Sequence, residues 1–140
     1  MKSSPKTARV FLLRLAQALH KSGFPSGHLE GIVGSLEKKM GVRANLVSLP
    51  TAILGDFGDG EKRNSFILRV QPGEMDLEKQ VALHELSLGV SAGRISLPSA
   101  VRRISAIESA RPRPACLAEA GRKSWRPWWG DSWWHWRRAC

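Results

Sequence analysis

The sequence predicts an α+β domain made of two N-terminal helices, a short antiparallel sheet of two or three strands, and two C-terminal helices. Three observations carry this. Apolar residues recur every three or four positions from Thr7 to Met40, change to short β-branched runs between Val42 and Val70, and return to helical spacing from Leu77 to Ser109. Helical segments grouped on either side of a strand region favour helices covering one face of an antiparallel sheet over an alternating parallel fold.

From Thr7 to Lys21, the residues Phe11, Leu12, Leu15, Ala16, Ala18 and Leu19 form one broad helical face, and Arg9, Arg14, Gln17 and Lys21 fall toward water. The segment SGFPSG then ends this helix and starts another, in which Leu29, Ile32, Val33, Leu36 and Met40 repeat at three and four. Ser26 is placed to cap its start, and Gly41 suits the position just beyond its end. Two amphipathic helices joined by so tight a turn pack as a hairpin.

After Gly41 the period changes. VRANLVSL reads as a strand, and NSFILRV places Phe66, Leu68 and Val70 on one face with Ile67 on the other. The charged DGEKRN segment lets the chain turn back between two apolar regions. Two strands alone are marginal, so either residues 51–57 supply a third or another chain extends the edge. The stretch SLPTAILGDFGDG, Ser48 to Gly60, reads foremost as a shape-determining link between strands. Its second reading is a contact surface for an amino acid or peptide, with Pro50, Thr51 and Asp56 as the groups concerned.

QPGEMD ends the last strand, and Asp76 is placed to cap a helix beginning at Leu77. Leu77, Val81, His84 and Leu88 form its apolar stripe, flanked by Leu83, Leu86 and Val90, and Gly93 closes it. The last helix, Leu97 to Ser109, buries Ala100, Val101, Ile104 and Ile107, with Ser96 as its cap and Pro98 in its first turn.

At 140 residues with 42% apolar composition the chain has room for one domain. Its net charge of +10 invites a nucleic-acid reading, but half of that excess lies in the last thirty residues. Residues 1–110 carry fifteen Lys and Arg against ten Asp and Glu, and residues 111–140 carry seven against two. All six tryptophans also fall between Trp125 and Trp136. The expected organisation is therefore a flexible N-terminus at residues 1–6, a folded domain at 7–109, and an irregular Trp/Arg-rich tail at 110–140. Enrichment in Arg, Trp, Pro and Cys is what a GC-rich coding region gives when read out of frame, and this is the account expected for the tail. Cys116 and Cys140 have no ligand-spaced neighbours, so neither a disulfide scaffold nor a zinc site is expected. Arg14 interrupts the first apolar run, which argues against a signal peptide, and no stretch reaches the length of a membrane span.

Over residues 7–109 the sequence resembles the cytoplasmic N-terminal domain of the threonine/serine exporter family. The resemblance rests on Leu15, Leu19, Gly23 and Glu30 in FLLRLAQALHKSGFPSGHLE, on Pro50 and Thr51 in SLPTAI, and on Phe57 and Gly58 in GDFGDG. It continues through Arg69, Val70, Pro72, Gly73, Asp76, Leu77 and Lys79, then Leu86, Val90, Gly93 and Ile95. Gln80 and Gly89 depart from it where a leucine or a helix-favouring residue is usual, and Ser99 replaces an acidic residue that would complete a capping box after Ser96. Members of the family continue into membrane helices, which this sequence lacks.

The candidate ligand or interface residues are Glu30, Pro50, Thr51, Asp56, Arg69 and Asp76. Glu30 lies near the start of the second helix, where the helix dipole favours it and the preceding turn offers a donor. His20, His28, His84 and His135 form no zinc pattern, His84 being read as partly buried and His28 as solvent-facing. No G-x-S-x-G turn accompanies Ser48, Thr51 or Ser65, and GDFGDG has neither the lysine nor the spacing of a phosphate loop. No enzyme activity, cofactor or metal is expected. The resemblance implies a soluble accessory or regulatory domain of an exporter, not transport-competent alone and located at the cytoplasmic side of the membrane. Its partners would be a membrane transporter subunit, threonine or serine as ligand, and a second copy through a sheet edge. A small basic nucleic-acid-binding protein is the alternative.

Overall fold

The fold is taken from a computed structural model that describes residues 4–58 and 63–110. The expected tail lies outside these residues. Among the described residues seven elements follow in order: α1 Pro5–Lys21, α2 Ser26–Met40, β1 Ala44–Leu49, β2 Ala52–Phe57, β3 Asn64–Arg69, α3 Leu77–Ser91 and α4 Leu97–Ser109. The α+β order is the one the periodicity predicts, and the sheet has three strands.

The helix α1 starts at Pro5, two residues earlier than expected, because proline fits the first turn without losing a helical hydrogen bond. It is the centre of the fold: Phe11, Leu12, Leu15 and Leu19 are fully buried, and it packs against α2, α3, α4 and β2. Pro25 occupies the N-cap of α2 and Ser26 is already helical, so Ser26 is not the cap. Gly41 takes the left-handed conformation at its C-terminal end, φ 64°, as expected. Ser96 does sit at the N-cap of α4, but its side chain makes no capping hydrogen bond. Asp76 caps α3 through a 3.0 Å bond donated by the Lys79 backbone N–H.

The sheet is an antiparallel meander in the order β1-β2-β3. Its central strand is AILGDF, a segment the sequence reading favoured as a link, and Pro50 and Thr51 form the tight turn that precedes it. The register opposes Ser48 to Ile53 and Leu46 to Gly55 on one side, and Ile53 to Leu68 and Gly55 to Phe66 on the other. Gly55 is tolerated mid-strand because a Cβ there would lie 2.8 Å from Phe66 Cζ and 2.4 Å from the Asn45 carbonyl oxygen. The space it leaves admits the Phe66 ring, which stacks on Phe57 at 5.2 Å.

Alternation divides the sheet into two faces. Ile53 and Phe57 are buried beneath the helices, while Val47 and Ile67 stand on the outer face, Ile67 being 76% exposed. The expected placement of Ile67 opposite Phe66, Leu68 and Val70 therefore holds.

On α3 the structure selects a different stripe. Leu77, Val81, His84 and Leu88 are exposed, and the buried face is Leu83, Leu86, Ser87, Gly89 and Val90. Two apolar stripes were available, and the one bearing small residues turns inward because it admits close packing. Ile95 lies against Gly89, where a Cβ would stand only 2.5 Å from Ile95 Cδ1. Gly89 is thus a packing position and not merely a weak point in the helix.

Candidate functional site

The six candidate residues do not converge on one place. Glu30 and Pro50 come together around the β1–β2 turn, joined by two residues from elsewhere, His20 and Ser48. The Ser48 backbone N–H donates to Glu30 Oε1 at 2.8 Å. The Glu30 carboxylate thus reaches across to β1 and not, as expected, to the turn before its own helix. It satisfies a donor on the edge of β1, which α2 packs against.

His20, at the end of α1, is buried together with Ser48. Its Nε2 lies 3.1 Å from the Pro50 carbonyl oxygen, and its Nδ1 lies 3.1 Å from Ser48 Oγ. A carbonyl can only accept, so Nε2 carries the proton on that side. In the neutral ring Nδ1 then accepts from the Ser48 hydroxyl. This pairing has the components of a serine and its base, but the ring is oriented by a backbone carbonyl, and Glu30 meets the Ser48 amide instead of the imidazole. What the arrangement achieves is to fix the hairpin against α1 and α2 by three buried or half-buried hydrogen bonds. Glu30→Ala should cost ~1 to 3 kcal/mol in urea unfolding, because it strands the Ser48 N–H, while Glu30→Gln keeps an acceptor and should cost clearly less. Equal losses in the two variants would show that the acceptor is not what matters.

Thr51 is exposed, and its carbonyl accepts from the Val70 N–H at 3.0 Å, tying the turn to the end of β3. Arg69 is exposed opposite Ala52. The Asp76 carboxyl is held below the usual carboxylate range, chiefly by the Lys79 backbone N–H, and Lys79 Nζ lies 3.3 Å from its Oδ2. The backbone around Asp76 also anchors the start of α3: the Ser22 carbonyl accepts from the Asp76 N–H at 3.1 Å and from Gln80 Nε2 at 2.7 Å. Asp76 is therefore a cap and a tether.

Asp56 accepts from Asn45 Nδ2 at 3.2 Å on the outer face of the sheet. Its charge acts on Glu37, whose carboxyl is pushed up to about 7, first by burial and then by Asp56. Glu37 carried no sequence signal, since an acidic residue near the end of a helix usually reads as solvated. Nor did Arg9, which was assigned to water but lies with its guanidinium 5.5 Å from the centre of the Phe57 ring. His20 was equally hidden: its partner Ser48 is 28 positions away, and no local period relates them. His84 is exposed, contrary to expectation, and His28 is exposed as expected with its ring edge toward Phe24. Among the described residues, no group of three or more His, Cys, Asp or Glu side chains is placed to hold a metal ion.

A family model described as "putative threonine/serine exporter" matches residues 10–119, which takes in α1 from Val10 onward and every later described element. No curated protein and no solved structure matches the chain.

Proposed function

Because the chain belongs to the threonine/serine exporter family, we propose that it is a soluble accessory or regulatory domain of a threonine and serine exporter, not transport-competent by itself. The family match over residues 10–119 is the observation that carries this reading. None of the described helices is long and apolar enough to cross a membrane. Movement of a zwitterion across a bilayer needs a polar path through spanning segments, and in this reading a membrane subunit supplies it. In this reading it lies at the cytoplasmic face of the membrane, docked on a membrane subunit. The second edge of β3, which pairs with no strand among the described residues, would be its means of docking or self-association.

Efflux from cells that hyperaccumulate threonine tests the proposal with three expressions: this chain, the membrane part, and both together. The chain alone should give no efflux above background, and its addition to the membrane part should change the rate. Threonine efflux dependent on this chain alone would overturn the reading.

A further inference from the structure

A cavity of about 370 Å³ lies beside the C-terminal end of α2, within the range of about 300 to 1,000 Å³ usual for small-molecule sites. Ala8, Leu36 and Leu97 contribute an apolar lining, and Arg9, Lys39 and Arg43 bring positive charge to it. No Asp or Glu among the described residues lines it. Among the described residues, neither Arg9 nor Lys39 forms an ion pair, and the Lys39 ammonium donates only to the Ser91 carbonyl, at 3.2 Å.

Arg9 is the unusual member. Its Nε is buried and has no hydrogen-bond partner among the described residues. The Phe57 ring supports the cation, with Cζ 5.5 Å from the ring centre, but a ring face does not take the in-plane N–H donors of the guanidinium. A buried donor without an acceptor costs free energy that the fold must offset elsewhere. A carboxylate in the cavity would not reach the enclosed Nε, but its two oxygens match the two terminal amino groups of the guanidinium, which donate to none of the described residues, and its charge meets both Arg9 and Lys39. The apolar lining then sets the rest of the ligand, which is a short aliphatic chain and not a second ionic group.

We propose that this cavity is a binding site for a small organic carboxylate, held through Arg9 with Lys39 in support and with its aliphatic part against Ala8, Leu36 and Leu97. Short hydroxy acids have this chemistry, whereas the α-ammonium of an amino acid would stand beside Arg9 and Lys39 with no carboxylate of the lining to meet it. The assignment does not depend on the exporter reading: if ligand binds here and efflux is unchanged by the chain, the regulatory role fails while the site stands.

Titration calorimetry on the full chain decides it with three probes of similar size: 3-hydroxybutyrate, which carries the carboxylate alone, 1,3-butanediol, which has a neutral hydroxymethyl group in its place, and L-threonine, which adds an ammonium to it. 3-Hydroxybutyrate should bind in the millimolar range or tighter, and the other two about tenfold more weakly or not at all. Arg9→Gln should weaken the bound acid about tenfold, and Lys39→Gln, at an exposed side chain, should weaken it by a smaller factor. Circular dichroism verifies that Arg9→Gln folds, and if it does not, Lys39→Gln and 1,3-butanediol still carry the test. The proposal is overturned if 3-hydroxybutyrate does not bind up to about 50 mM, or if 1,3-butanediol or L-threonine binds as tightly as it does. Unchanged affinity in a folded Arg9→Gln protein, or in Lys39→Gln, has the same consequence.

Discussion

Phe11→Ala should lower the unfolding free energy by ~3 to 5 kcal/mol, the largest loss expected of any single truncation discussed for this chain. Phe11 is fully buried on α1, the helix that packs against α2, α3, α4 and β2, so its ring fills space that no single neighbour can close by moving. Removing it forfeits the transfer of an aromatic side chain from water and leaves a cavity whose walls relax only partly. A domain of this size is stable by ~5 to 15 kcal/mol, so the variant should unfold at a much lower urea concentration and be partly unfolded at 37 °C if the parent is at the low end. Phe11→Leu, which keeps most of the volume, should cost less than half as much. A loss below ~1 kcal/mol for Phe11→Ala would mean that α1 is not the centre of the core.

Ile104→Ala is the second large effect, at ~2 to 4 kcal/mol, and its use is comparative. Ile104 is fully buried on α4, the last described helix, which packs on α1 and α3. If the folded domain ends where the apolar periodicity ends, deletion after Ala110 should change stability by less than ~1 kcal/mol, because it removes no part of this face. Urea unfolding of the full chain, the deletion and Ile104→Ala gives the order directly. A deletion more damaging than Ile104→Ala would place part of the fold beyond Ala110. The family match, which runs to residue 119, makes this comparison the more useful of the two.

The four helices, the strand region between them and their order were set by local patterns that a linear reading can recover, whereas the strand count was left at two or three. A period of three to four along α1, α2 and α4 needs only neighbours in sequence, and so does the Asp76 cap, because its acceptor and donor are three residues apart. The resemblance carried by the ordered glycines, prolines and apolar positions was equally a property of the sequence, and the family match agrees with it.

What only the tertiary structure decided involves partners distant in sequence. AILGDF became the central strand because β1 and β3 supply ladders on both sides and Phe66 fills the space over Gly55, which outweighs the poor strand propensity of Gly and Asp. On α3 the sequence reading took Leu77, Val81, His84 and Leu88 as the buried stripe, and the burial of the flanking Leu83, Leu86 and Val90 instead goes with Ile95 fitting against Gly89. Glu30 found its donor on β1, His20 found Ser48 and Pro50, and Arg9 found the Phe57 ring, each through side chains that a helical period had assigned to water or left undecided. The physical reason is the same in every case: periodicity reports which face of an element can be buried, whereas polar pairing depends on which atoms the packed fold brings within about 3 Å of one another.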